Sequence, residues 1–121
     1  MPDNPLLMVV DDDPSVLLLV DVLAEKMGFR VKAVSNGLQA LEHLRDGLQP
    51  DVILLDIMME RIDGLTFMNH LREMPVLEAT PIVAMSTAAV LERYGGQLQV
   101  SGTLLKPITA STLAAALERY R

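Results

Sequence analysis

The chain has 121 residues, half of them apolar, with no cysteine and a net charge of −6. That length and apolar content suffice for one domain with a real core, and the missing cysteines exclude disulfides and thiol chemistry. The acidic balance and the scarcity of aromatics (two Phe, two Tyr, no Trp) argue against nucleic-acid binding, which needs basic patches and stacking platforms.

In chain order, the start Met1-Pro2-Asp3-Asn4-Pro5 has neither the basic region nor the apolar core of a signal peptide. No apolar run approaches the length needed to span a bilayer. The expectation is a cytoplasmic protein with no membrane association, residues 1–5 forming a short tail and residues 6–121 a single domain. Leu6–Val10 reads as a first strand. Asp13 is placed to cap a helix with Pro14 at its first position, running to about Met27, where Gly28 stops it. Arg30–Val34 alternates like a strand. Asn36 caps a second helix over about Leu38–Asp46, closed by Gly47. Val52–Leu55 is the most apolar strand and belongs at the centre of a sheet.

Gly64 opens a third helix to about Met74, and Pro75 and Pro81 bracket a loop. Ile82–Met85 is a fourth strand, Ala88–Tyr94 a short helix, and Gly95-Gly96 a stop. Thr103–Leu105 is a fifth strand, followed by Lys106-Pro107 and a helix from about Ser111 to Arg121. Five strands interleaved with five helices predict an α/β fold: a (βα)5, flavodoxin-like, doubly wound parallel sheet in the order 2-1-3-4-5. In that order the first and third strands are neighbours, and both end in acid: Asp11-Asp12-Asp13 after one, Asp56 after the other. Ligands bind at the carboxyl ends of such strands. Carboxylates crowded there repel unless a cation lies between them, so the pattern asks for a divalent metal. Ser86 and Lys106 end the next two strands and add a hydroxyl and an ammonium to the same rim.

The segments Val9-Val10-Asp11-Asp12-Asp13-Pro14, Asp51 to Met59, Asp63-Gly64, Pro81 to Ser86 and Leu105-Lys106-Pro107 follow one another along nearly the whole chain. In that succession the chain resembles the receiver domain of bacterial two-component response regulators. The resemblance implies that Asp56 is the phosphoacceptor, phosphorylated from a phosphohistidine on a sensor histidine kinase or a histidine phosphotransfer protein. It implies that Mg2+ (or Mn2+) is held by Asp12, Asp56 and the backbone carbonyl of Met58, with Asp11 holding a metal-bound water. Ser86 and Lys106 would contact phosphoryl oxygens, and Pro107 would follow a cis peptide. The protein would then catalyse its own phosphorylation and slow dephosphorylation without being an enzyme in the usual sense.

Bland readings apply to several residues. Asp13 is a helix cap rather than a ligand, Glu60 and Asp63 are rim charges, and His43 and His70 lack the partner spacing of metal ligands. The chain also departs from the family pattern. Glu60 stands in place of a common proline. Met58 and Ala88 put apolar side chains beside the path of the hydrolytic water, which predicts a long-lived phosphoaspartate. Thr103 stands where many receivers carry an aromatic switch residue, so switching by Ser86 and Thr103 lacks a ring to rotate. Val16 to Val20 leaves the first helix without a polar face. Leu17 and Leu18, with Pro107 and Ile108, are therefore candidates for a partner-docking or self-association patch. Competing readings are a pseudo-receiver that binds partners without phosphorylation, a haloacid-dehalogenase-type phosphatase and a flavodoxin. The phosphatase wants a second aspartate where Met58 stands, and the flavodoxin wants a phosphate loop and aromatics that are missing.

Overall fold

A computed structural model describes residues 4–58, 64–94 and 100–121. Its strands are β1 (Leu6–Val10), β2 (Arg30–Val34), β3 (Val52–Asp56), β4 (Ile82–Ser86) and β5 (Gly102–Leu105), and its helices are α1 (Pro14–Lys26), α2 (Gly37–Arg45), α3 (Gly64–Arg72), α4 (Ala88–Tyr94) and α5 (Ala110–Leu117). The strands form one parallel sheet in the order β2-β1-β3-β4-β5. β3 is central, as its unbroken apolar run requires: all five of its residues are buried.

Alternation along the strands divides the core into two layers. Met8, Val10, Ile53, Leu55, Ile82 and Ala84 face one way and pack with Ala40, Leu41 and Leu44 of α2 and Phe67 and Leu71 of α3. Leu7, Val9, Val52, Leu54, Val83 and Met85 face the other way, against Val20 and Ala24 of α1 and Leu113 and Leu117 of α5. Each sheet face is thus covered by helices, as right-handed crossovers of both senses about β1 demand.

The helix ends follow the local chemistry. Asp13 caps α1, its carboxylate accepting from the Ser15 N–H at 2.9 Å and the Ser15 hydroxyl at 2.7 Å. Those two bonds hold the Asp13 carboxyl below its usual titration range, and the first satisfies a helix N–H donor that would otherwise lack a partner. Asn36 caps α2 through the Gln39 N–H at 2.8 Å. Gly28 and Gly47 end the first two helices at φ of +101° and +107°, left-handed conformations that a Cβ would strain.

Most boundaries lie within one residue of the sequence expectation, and the ends of α3 and α5 show why some move. α3 stops at Arg72, and a 3-10 turn over Pro75–Leu77 fills part of the loop. The Arg72 guanidinium secures this turn, donating to the carbonyls of Leu77, Glu78 and Thr80 at 3.2, 2.8 and 3.3 Å. α5 begins at Ala110, because Thr109 and Thr112 form a reciprocal capping box, and its last turn tightens to a 3-10 turn over Glu118–Tyr120. Gly95-Gly96, Glu60, Asp63 and the Tyr94 side chain lie outside the described residues. Among the described residues, no helix is long and apolar enough to cross a membrane.

Candidate functional site

Strand register assembles the site. Val10 of β1 pairs with Leu55 of β3, so Asp11 and Asp56, each the next residue along, leave the sheet side by side. Ser86 of β4 pairs with Leu105 of β5, and the Lys106 N–H donates to the Ser86 carbonyl at 2.9 Å, which brings Lys106 over the same rim. Asp11, Asp56 and Ser86 are the buried polar side chains of the described chain. Asp12 is exposed, at the mouth.

The Lys106 ammonium lies 2.8 Å from Asp11 Oδ2 and 3.5 Å from Asp56 Oδ2. Burial works against its charge, but the Asp11 and Asp56 carboxylates outweigh that and raise its pKa. Asp11 Oδ1 accepts from the Asp13 N–H at 2.9 Å, which fixes the carboxylate against the start of α1. Asp11 Oδ2 is buried without a donor in good hydrogen-bond geometry, so the ammonium beside it acts as a counter-charge. Asp56 Oδ1 accepts from the Met58 N–H at 3.2 Å. Burial, and then the Asp11 charge, push the Asp56 carboxyl from 3.8 up to about 6, and Lys106 and the Met58 N–H pull it back only in part.

One carboxylate oxygen from each of Asp11, Asp12 and Asp56 lies within 4.8 Å of the other two. Among the described residues, three carboxylates face one ammonium and leave excess negative charge, and an all-oxygen donor set of this kind suits a hard divalent cation. The residues present therefore fit Mg2+ or Mn2+.

The remaining predicted residues are placed as follows. Met58 has its side chain half exposed, Ala88 is exposed at the start of α4, and Thr103 is exposed on β5. The Lys106–Pro107 peptide is cis. Leu18 is 66% exposed, whereas Leu17 is half-buried against the α1–α5 layer. Pro107 is exposed, but Ile108 is buried in that same layer. The expectation that Ile108 contributes to a docking surface is therefore corrected: it follows the strand end into the core beneath α5. Val16 to Val20 is not uniformly buried either, since Val20 faces the core while Leu18 and Leu19 face solvent. The Lys106–Asp11 ion pair was not foreseen, because a residue spacing shows that Lys106 reaches the rim but not which carboxylate it meets first.

Comparison with known proteins decides what this arrangement belongs to. The model of the response regulator receiver domain matches residues 7–118. The chain belongs to that family. A probable C4-dicarboxylate response regulator, DctR, of Halalkalibacterium halodurans is 37% identical across 99% of this receiver and 54% of its own length. The signal transduction histidine-protein kinase BarA of Escherichia coli is 33% identical across 94% of the receiver and 12% of its own length. The receiver thus spans about half the length of one curated relative and a small part of the other. Among solved structures, the chemotaxis response regulator CheY4 of Vibrio cholerae superimposes with a TM-score of 0.88 at 27% identity, covering 98% of this chain and 99% of its own. Receiver domains of this family thus occur both in response regulators and in histidine kinases, and the fold assigned from the strand pattern is that of the family.

Proposed function

We propose that Asp56 accepts a phosphoryl group from a phosphohistidine on a sensor kinase or a histidine phosphotransfer protein. One observation carries this reading: three carboxylates, two of them buried, converge at the ends of adjacent strands beside the Lys106 ammonium. An Asp56 carboxylate oxygen attacks phosphorus in line with the bond to the imidazole nitrogen. That P–N bond breaks, its electron pair stays on the nitrogen, and an aspartyl phosphate forms. A carboxylate is a weak nucleophile and its target is anionic, so what the chain supplies is position and charge rather than new covalent chemistry.

Asp12, Asp56 and the Met58 carbonyl would hold Mg2+ or Mn2+, with Asp11 steadying a water on it. Held by these residues, such an ion would neutralise charge on the group being transferred. Lys106 moves from the carboxylates toward a phosphoryl oxygen, as a flexible point charge can. Ser86, buried beside it on β4, donates its hydroxyl to another phosphoryl oxygen. Because Ser86 ends β4 and Lys106 directly follows β5, phosphorylation biases the packing of the β4–β5 edge, where Thr103 lies on the surface. The apolar side chains of Met58 and Ala88 flank the site without activating water, which favours a slow hydrolysis. Leu18, with Pro107, is the apolar surface beside the site on which a donor helix would dock.

Phosphoramidate, whose P–N bond matches that of phosphohistidine, tests the reading. With Mg2+ it should yield a hydroxylamine-labile acyl phosphate on the wild type and none on Asp56→Asn. Equal labelling in EDTA, or labelling of the variant, would contradict it.

A further inference from the structure

The end of the sheet opposite the acidic site holds a feature that phosphoryl chemistry does not use. Between the last turn of α2 and the turn after α3 lies a groove of about 410 Å³. Buried Leu44 and Leu77 and half-buried Leu48 line it, and Val76 stands on its wall 69% exposed. Arg45, from α2, and Glu73, just after α3, also line the groove. Both are exposed, and neither is in an ion pair among the described residues.

We propose that a second copy of this chain occupies this groove in a twofold arrangement. The surface is self-complementary in shape and in charge. A protruding apolar side chain, Val76, stands beside an apolar recess. A cation lines the α2 side and an anion the α3 side. In a twofold dimer the same patch serves both copies. An axis along the groove lays the α2 wall of one copy on the α3 wall of the other. That sets Arg45 against the partner's Glu73 and Glu73 against the partner's Arg45, and it brings Val76 to the partner's recess. An axis across the groove would oppose like charges, so the charge placement selects the first arrangement. The interface lies far from Asp56 and forms independently of phosphorylation and of the function proposed for that site.

Sedimentation in EDTA, without a phosphoryl donor, from low micromolar to near-millimolar protein, tests this. The wild-type mass should rise from 13.3 kDa toward twice that value with concentration. Arg45→Glu alone and Glu73→Arg alone should each stay monomeric, because each sets like charges against one another across the axis. An equimolar mixture of these two variants should associate, since every cross-pair is then opposite in charge, and its recovery also shows that both variants are folded. Val76→Asp should be monomeric. A wild type that stays monomeric throughout overturns the proposal and leaves the groove to a different occupant. So does association of the single variants equal to that of the wild type.

Discussion

Asp56→Asn should stabilise the metal-free receiver. The folded chain holds the Asp56 carboxyl near 6 against an ordinary value of 3.8, so the folded state binds this proton more tightly than the unfolded state does. Below the unfolded value both states carry the proton and the group contributes fully to stability. As the pH rises through the folded value that contribution is lost. At 1.36 kcal/mol for each tenfold change in proton affinity, the ionised carboxylate costs the folded chain up to about 3 kcal/mol, a large share of a small domain's 5–15. Asn is neutral at every pH and keeps an oxygen for the Met58 N–H, while Lys106 keeps its nearer partner, Asp11. Urea unfolding followed by far-ultraviolet circular dichroism in EDTA measures the difference. The variant should be more stable by about 2–3 kcal/mol near pH 8, the gap narrowing to roughly 0.5 kcal/mol by pH 4 and closing by about pH 3. Added Mg2+ should narrow the gap near pH 8 by stabilising the wild type selectively. A variant no more stable than the wild type near pH 8, or a gap that does not change with pH, would show that burial of the Asp56 charge does not destabilise the fold.

Lys106→Met removes the cation that offsets Asp11 and Asp56. It should lower metal-free stability by roughly 1–3 kcal/mol at neutral pH and tighten Mg2+ binding measured by calorimetry, since the metal no longer competes with the ammonium. Unchanged Mg2+ affinity would count against the pairing of Lys106 with Asp11. Met58→Asn and Ala88→Glu together should shorten the phosphoaspartate lifetime by roughly tenfold, about 1.4 kcal/mol of barrier, in a phosphate-release time course; an unchanged lifetime would remove Met58 and Ala88 as its determinants. Leu18→Lys, at an exposed position, should slow phosphotransfer from a histidine-bearing protein at least several-fold while leaving labelling by acetyl phosphate intact. Slowing of both reactions would place Leu18 in the packing of α1 instead of on a docking surface.

The sheet was legible because its signals are local and strong. Short β-branched and leucine-rich runs, glycines after helices and the Asp13-Pro14 cap set its elements to within a residue or two. The acidic constellation was legible because a parallel order forces the ends of β1 and β3 together once both are recognised. What escaped depended on contacts distant in sequence or on side-chain direction. The Lys106–Asp11 pairing follows from the β4–β5 register and the height at which Lys106 leaves its strand. Ile108 reads as a surface neighbour of Pro107, yet the chain turns inward there to begin the packing of α5. Leu17 and Leu18 are adjacent in sequence, but a helix sets neighbouring side chains about 100° apart. One therefore packs inward while the other meets solvent. Thr109 and Thr112 lack the usual Glu or Gln partner of a capping box, so the true start of α5 carried no familiar signature.

On the function proposed above, Asp56 accepts a phosphoryl group with a divalent metal beside it. Intact-mass measurement after incubation with acetyl phosphate tests this most directly. The wild type should gain the mass of one phosphoryl group in Mg2+ and none in EDTA, and Asp56→Asn should gain none in either condition. A wild type that gains no mass in Mg2+, or a variant that gains it, would exclude Asp56 as the metal-dependent phosphoacceptor.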